Sequence, residues 1–127
     1  MEFELACRGD DGNKTAADTP RQFPASLLVE RDIAFLLGRN SASRVVGVAV
    51  ANRTTSEIGD VVGLSNVIGK DTSAEDLWNG ATGAVIAAFP AGLPLVGYER
   101  EDDLREATRI GFEPTRSLRV FMSDAVR

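Results

Sequence analysis

The stretch Val45-Val46-Gly47-Val48-Ala49-Val50 decides the predicted fold. β-branched side chains favour strands, and a strand that is apolar on both faces is typical of the interior of a sheet. Residues 38–43 before it and 52–56 after it are rich in the polar and glycine residues that favour turns. The stretch is therefore predicted to be a central strand between two turns.

Two further strands are predicted beside it, at residues 33–37 and 58–68. Because the turns between the three strands are short, the strands are expected to form an antiparallel meander. Residues 25–31 are predicted to be a short helix, although one continuous strand over 27–37 fits the pattern almost as well.

The hydrophobic period changes after the third strand. Apolar residues at a spacing of three to four predict an amphipathic helix over 72–89. A capping box begins the helix, either at Thr72 or at Ser73. Gly80 and Gly83 weaken the helix and are expected to let another backbone approach it closely.

Shorter segments complete the pattern. Alternating apolar and polar residues predict a first strand over 3–7. Strands are also expected at 93–98 and 117–122, separated by a second helix that starts with acidic residues at 101. The chain is therefore predicted to be one α/β (α+β) domain over 1–127.

Composition excludes several classes of protein. The 127 residues carry 14 basic and 19 acidic side chains, a net charge of −5, whereas a protein that binds nucleic-acid phosphates is expected to be basic. With no histidine and one cysteine, the chain has no Ser-His-Asp or Cys-His mechanism, and no metal site is expected. No apolar run approaches the roughly 18 residues that span a bilayer, so no membrane association is expected. Without a secretory signal, the expected location is cytoplasmic.

Four motifs, in order, carry a resemblance to a known family. They are Arg44-Val45-Val46-Gly47-Val48-Ala49, Pro94-Leu95-Val96-Gly97-Tyr98, Ala107-Thr108-Arg109-Ile110-Gly111-Phe112-Glu113-Pro114 and Ser117-Leu118-Arg119-Val120-Phe121-Met122. Through these motifs the chain from 44 to 122 resembles the GNAT N-acetyltransferase superfamily. That family has an x-V-V-G-x-A strand, a fifth strand, a Y-x-x-x-G-F helix end and a closing strand in the same order.

The resemblance implies a compact GNAT-like fold, with a mixed, mostly antiparallel sheet of about six strands, two main helices and shortened N-terminal helices. It also implies acetyl-CoA or another acyl-CoA as the cofactor, bound where the family's fourth and fifth strands separate. The expected activity is transfer of an acyl group to a small-molecule amine. The cofactor-binding residues that the resemblance assigns are Leu64, Ser65, Asn66, Val67, Ile68 and Lys70.

Two positions depart from the family pattern. Where the family has a glycine-rich pyrophosphate loop, residues 69–76 contain one glycine, Lys70 and three carboxylates, so a bound phosphate would meet like charge. The family's tyrosine, which protonates the departing thiolate, corresponds to Ala107. A GNAT-like binding or interaction module without catalysis is therefore the competing hypothesis. A different small-molecule enzyme that uses the same cleft is the third.

Tyr98 and Glu57 are the candidate catalytic residues. Tyr98, the only tyrosine, could be a general acid where the strands separate, or a half-buried aromatic with its hydroxyl at the surface. Glu57, like Asp60, could act as a base through a water molecule, or could serve only the turn that contains it. Asn66 could contact a ligand or point outward, and Trp78 could stack on adenine or belong to the core.

The C-terminal segment predicts self-association. A strand over 117–122 would present Leu118, Val120, Phe121 and Met122 near a chain end, and an apolar edge strand readily pairs with another chain. We expect a homodimer with these strands at its interface. Sedimentation velocity over a range of concentrations measures the mass directly, and a monomer at every concentration would contradict the prediction.

Overall fold

The structure is a computed structural model that describes Ser26, residues 29–119 and Phe121. Three strands lead into a helix, a short fourth strand and a second helix. In chain order the elements are β1 (Ile33–Arg39), β2 (Val45–Thr54), β3 (Val61–Gly69), α1 (Ala74–Ala88), β4 (Leu95–Val96) and α2 (Glu101–Arg109).

The strands form one sheet in the order β1-β2-β3-β4. β2 pairs antiparallel with β1 on one side and with β3 on the other, which confirms the predicted central strand. β2 continues through Thr54, so the turn predicted at 52–56 lies at 55–60 instead. α1 connects β3 to β4 as a crossover, and the two strands therefore run parallel.

α1 begins at the second of the two predicted caps. The Asp76 N–H donates a 3.1 Å hydrogen bond to the Ser73 hydroxyl, which satisfies one of the backbone donors left free in a first helical turn. A Cβ placed on Gly80 or Gly83 would meet no atom of the described residues within 4 Å. Among the described residues, the close backbone approach predicted at these glycines is not observed.

The sheet has two apolar faces. On the side of α1, named the helix face, the buried core comprises Ala49, Ala51, Val62, Leu64, Val67, Trp78, Val85 and Ala107. On the opposite side, named the far face, the apolar cluster comprises Val48 and Val50 with Ile33, Phe35, Val45 and Ile68. Successive residues of a strand point to opposite faces, so Val48 and Val50 line one face and Ala49 and Ala51 the other.

Trp78 joins the two helices through the helix-face core. Its side chain is 2 % exposed, and its ring stands edge-on to Phe112 with the ring centroids 6.3 Å apart. Ala107 of α2 belongs to the same cluster. Of the two interpretations of Trp78, membership of the core is confirmed, because no face of the indole is open to a ligand.

β3 contains one more residue than β2 between two matched pairs. The pairing passes from Val50 opposite Ser65 to Val48 opposite Ile68, which leaves two residues of β3 against one of β2. The first of the two, Asn66, has a φ of 53°, a left-handed conformation that asparagine tolerates better than most residues. Such a β-bulge bends its strand and increases the local twist.

Several predicted elements differ from the structure. The described residues form four strands instead of about six. Residues 117–119 and Phe121 lie outside any strand, and the strand predicted over 93–98 is reduced to the two residues of β4. A strand needs a hydrogen-bonded neighbour, which an alternating pattern cannot supply by itself. Residues 29–31 form no α-helix, while the strand predicted over 3–7 and the shortened N-terminal helices lie outside the described residues.

Apolar side chains remain exposed near the C-terminus. Leu118 is 60 % and Phe121 is 89 % exposed. The strand that would carry the homodimer interface is not observed in the described residues, so the homodimer stays a prediction that now depends on this apolar surface alone.

Val48→Asp is expected to lower the free energy of unfolding by several kcal/mol. Val48 is 3 % exposed on the interior strand, so the new carboxylate would be buried without a partner. Ile58→Asp, in the exposed turn before β3, is the control and should change stability by about 0.5 kcal/mol or less. Denaturant unfolding followed by Trp78 fluorescence measures both variants. An unchanged midpoint for Val48→Asp would contradict its position in the core.

Candidate functional site

The pairing of β4 with β3 ends early and leaves part of β3 open. Two residue pairs are matched, Val62 with Leu95 and Gly63 with Val96. β3 continues to Gly69 without a β4 partner in the part of the chain that the structure describes. The parallel neighbours thus separate toward the C-terminal end of β3, as expected. Residues 64–69 of β3, which have no β4 partner among the described residues, are named the open edge.

Backbone groups of β3 point into the gap beside β4. The Val62 N–H donates a 2.9 Å hydrogen bond to the Pro94 carbonyl on the β4 side. Since backbone groups alternate along a strand, those of Leu64 point to the same side. A Cβ on Gly97 would lie 3.0 Å from the Leu64 carbonyl oxygen, so the two chains are still close there. Beyond Gly97 the open edge offers donors and acceptors to an extended ligand.

The N-terminus of α1 follows directly after the open edge. The Lys70 N–H donates to the Val46 carbonyl at 2.8 Å, and α1 then begins with the positive end of its dipole. That end attracts anions, but the exposed carboxylates of Asp71, Glu75 and Asp76 already stand there. These acids favour the helix and lower the affinity of the same position for a phosphate.

The residues assigned to cofactor binding fall into two groups. Leu64 and Val67 are buried in the helix-face core, so only their backbone could meet a ligand. Asn66 holds the bulge in the middle of the open edge. The assigned residues that are at least partly exposed are Ser65, Asn66, Ile68 and Lys70.

The two predicted catalytic residues are not brought together. Tyr98 follows β4 beside the gap. Its side chain is 76 % exposed, whereas the structural alternative for Tyr98 was a half-buried aromatic ring. Glu57 is exposed in the turn before β3, whereas the bulge lies in the second half of that strand. Tyr98 is therefore next to the open edge and Glu57 is at the other end of β3.

Asp60 serves the turn between β2 and β3. The Arg53 guanidinium donates from Nε and Nη2 to Asp60 Oδ2, at 2.9 and 2.6 Å. Gly59, inside the same turn, has a φ of 128°, which other residues rarely adopt. The structural interpretation of Asp60 is thus confirmed.

Glu99 is a candidate functional residue that the sequence pattern did not indicate. It belongs to a charged run, 99–103, that predicts a solvated helix start, yet in the structure its side chain is only partly exposed just after Tyr98. Burial raises the pKa of the Glu99 carboxyl, and repulsion from Asp103 raises it further. A carboxylate with a raised pKa is a stronger base, which suits it to accept a proton beside the gap. The feature of the sequence that could have indicated Glu99 is its position just after a predicted strand, two residues after Gly97.

Open cavities indent both sides of the sheet. One of about 440 Å³ lies on the far face, with Ile33, Phe35 and Val50 as its floor. Another of about 480 Å³ lies between the first half of α1 and the β1–β2 hairpin, with Leu36 and Leu77 among its walls. Both are separate from the gap beside β4.

The described residues contain no group of three acidic or cysteine side chains that could hold a metal ion. Neither helix within 29–119 is long and apolar enough to cross a bilayer. No protein-family model, curated protein or solved structure matches the chain. The resemblance to the GNAT superfamily therefore rests on the motifs of this chain.

Glu99→Gln is expected to raise the melting temperature at pH 7 slightly, by about 1–3 °C. Partial burial and repulsion from Asp103 both oppose ionisation of the Glu99 carboxyl, and the uncharged amide is subject to neither effect. Because the folded-state pKa is raised, the wild type is free of this cost below pH 4.5, the ordinary value, and acquires it as the pH rises through the folded-state pKa. The difference between the proteins should therefore vanish near pH 4.5.

Thermal unfolding at a series of pH values measures this effect. Asp102→Asn is the control, because Asp102 is exposed and its ion pair with Arg105 lies on the surface of α2. A Glu99→Gln variant that is less stable than the wild type at pH 7 would contradict the unfavourable environment of the carboxylate.

Proposed function

We propose that the protein is an acyl-CoA-dependent N-acyltransferase that acts on a small-molecule amine. The observation that carries the proposal is the open edge of β3, which runs from Leu64 to Gly69 and leads to the N-terminus of α1. A row of backbone donors and acceptors suits an extended chain of amides, and the pantetheine arm of CoA is such a chain. A helix N-terminus next to it is a favourable position for phosphate oxygens.

The open edge fits the pantetheine arm better than the start of α1 fits the phosphates. A side chain at Gly97 would come against the Leu64 carbonyl, so glycine leaves the backbone of β3 accessible. At the start of α1, Lys70 is the single basic residue among three carboxylates. We therefore expect the backbone of β3 and the amide of Asn66 to supply most of the binding free energy.

In the proposed reaction, acyl-CoA supplies the group that is transferred, and a few groups of the chain position it and move protons. Acyl-CoA supplies the acyl group as a thioester: the amine nitrogen forms the new C–N bond, the C–S bond breaks and the thiolate leaves. Backbone N–H groups of the open edge polarise the carbonyl and hold it beside the amine. Glu99 accepts the proton that the amine loses, and the hydroxyl of Tyr98 is the proposed proton donor to the thiolate.

A non-catalytic binding module is the second candidate. Ala107, which corresponds to the family's tyrosine, is 4 % exposed in the helix-face core and has no proton to donate. The acidic start of α1 weakens phosphate binding as well. A chain with these two features would bind a small molecule or a protein without turnover.

Calorimetric titration with acetyl-CoA tests the proposed site. We expect a dissociation constant in the micromolar range. Asn66→Ala and Gly97→Val should each weaken binding about tenfold, because the first removes an amide and the second narrows the gap. Lys70→Ala should weaken binding about threefold or less.

Asn66→Gly is the matched control for Asn66→Ala. Both variants remove the side-chain amide, but glycine accepts a φ of 53° without strain and alanine does not. Comparison of the two variants therefore distinguishes the effect of the lost amide from the effect of backbone strain at the bulge. Loss of binding in Lys70→Ala with normal binding in Asn66→Ala would reverse the proposed anchoring. Failure of acetyl-CoA and other CoA thioesters to bind would overturn the proposal, and binding without transfer to any amine would favour the module.

A further inference from the structure

The segment that follows β4 lies against the first residue of the open edge. A Cβ on Gly97 would be 3.0 Å from the Leu64 carbonyl oxygen, so the chain leaving β4 is still close to β3 at this point. From there the chain passes through Tyr98 and Glu99 to α2, and Phe112 after α2 packs against the helix-face core. Residues 97–112 are named the flap. Access of a ligand to the backbone of Leu64 therefore depends on how firmly the flap is held.

The flap has a small apolar attachment to the core. Ala107 is the one buried residue among the nine of α2, and Ile110 and Phe112 add two partly buried side chains. An isolated helix of fewer than about 12 residues is marginal in water, so α2 depends on this attachment to stay helical. Detachment of the flap and unwinding of α2 are therefore expected to be one event.

The start of α2 stores backbone strain. Glu101, its first residue, has a φ of 51°, a left-handed conformation that is unfavourable for a residue other than glycine. The N-cap residue, Arg100, makes no side-chain hydrogen bond to the first turn, so the usual stabilisation of a helix start is missing as well. Because unwinding of α2 releases the strain at Glu101, the strain favours the detached state of the flap.

The surface of α1 beside the flap contains buried polar atoms without partners. They are Nε1 of Trp78, whose ring meets Phe112 edge-on, and Oγ1 of Thr82, one turn later on the same face of α1. Neither atom has a hydrogen-bond partner among the described residues. A buried polar atom without a partner raises the free energy of the closed state. When Phe112 moves away from Trp78, water can reach the indole, so this cost also favours detachment.

We propose that the flap detaches from Trp78 in the native protein, and that this motion opens the gap beside β3 to a ligand. The small attachment, the strain at Glu101 and the unpartnered atoms beside Phe112 each lower the free energy of opening, and all three coincide in one segment. Opening moves Gly97 away from the Leu64 carbonyl, which makes the first residue of the open edge accessible. The role of the flap as a gate rests on the proposed function, whereas its opening can be measured without any ligand.

Hydrogen exchange measured by nuclear magnetic resonance on the free protein tests the opening. The amides of Ala107, in the middle of α2, and Phe112, which donates to the Ala107 carbonyl at 3.0 Å, should have protection factors that agree within about twofold. Both should be at least about tenfold less protected than Val50 and Ala51 in the interior strand. Protection of Ala107 equal to that of β2 would overturn the inference, and so would fraying that leaves Phe112 much less protected than Ala107.

Two variants at Glu101 isolate the strain. Glu101→Gly and Glu101→Ala remove the same carboxylate, but only glycine accepts a φ of 51° without strain. Ala107 and Phe112 should therefore be about threefold better protected in the glycine variant, although glycine is the poorer helix former. Asp71→Gly relieves a φ of 58° outside the flap and should leave the protection of both amides unchanged. Equal protection in the two Glu101 variants, or the same gain from Asp71→Gly, would overturn the inference.

Binding kinetics separate the gate from the proposed function. In stopped-flow experiments with acetyl-CoA, association and dissociation should both be about threefold slower for Glu101→Gly than for Glu101→Ala, because a closed flap delays entry and exit alike. The dissociation constant should be the same for both variants. Equal rates for the two variants would refute the gate and leave the proposed function standing. Exchange as expected in a chain that binds no CoA thioester would refute the gate and the proposed function together, and would leave the opening of the flap standing.

Discussion

The extra residue of β3 at Asn66 governs both the core and the open edge. Strict alternation from Leu64 onward would turn Val67 to the far face and Ile68 toward α1. With the bulge, Val67 packs in the helix-face core and Ile68 joins the far face. The left-handed backbone costs about 1 kcal/mol for most residues, less for asparagine, and burial of Val67 offsets it. The same bulge bends β3 in the half where its pairing with β4 has ended.

The faces of the sheet differ in how they can serve a ligand. On the helix face, Trp78 is buried in the core under α1, and a cavity of about 480 Å³ lies between α1 and the β1–β2 hairpin. A cavity of about 440 Å³ lies on the far face, and within the described residues the backbone of β3 has no β4 partner beyond Gly63.

The acidic residues in the first turns of α1 and α2 are explained better by helix stability than by ligand binding. Glu75 and Asp76 in α1, and the acidic first turn of α2, lie where the helix dipole favours anions. The same charges oppose a phosphate at α1, and Asp103 adds to the raised pKa of Glu99. If the chain binds a CoA thioester, neutral backbone contacts at the open edge have to carry the affinity that a glycine-rich phosphate loop would otherwise supply.

Local patterns in the sequence determined the strand at 45–50 as the centre of the sheet, the helix cap at Ser73 and the crossover that makes β3 and β4 parallel. Strand period, cap chemistry and crossover length act between residues that are close along the chain, so they can be read there. The sequence also indicated the segment around Asn66 and Gly97 where pairing ends. Only the tertiary structure decided the register at the bulge, the partial burial of Glu99, the position of Glu57 far from Tyr98, the cavity on the far face and the absence of a strand at 117–119. Each of these depends on which distant segments pack or pair together, and hydrophobic period carries no information about that choice.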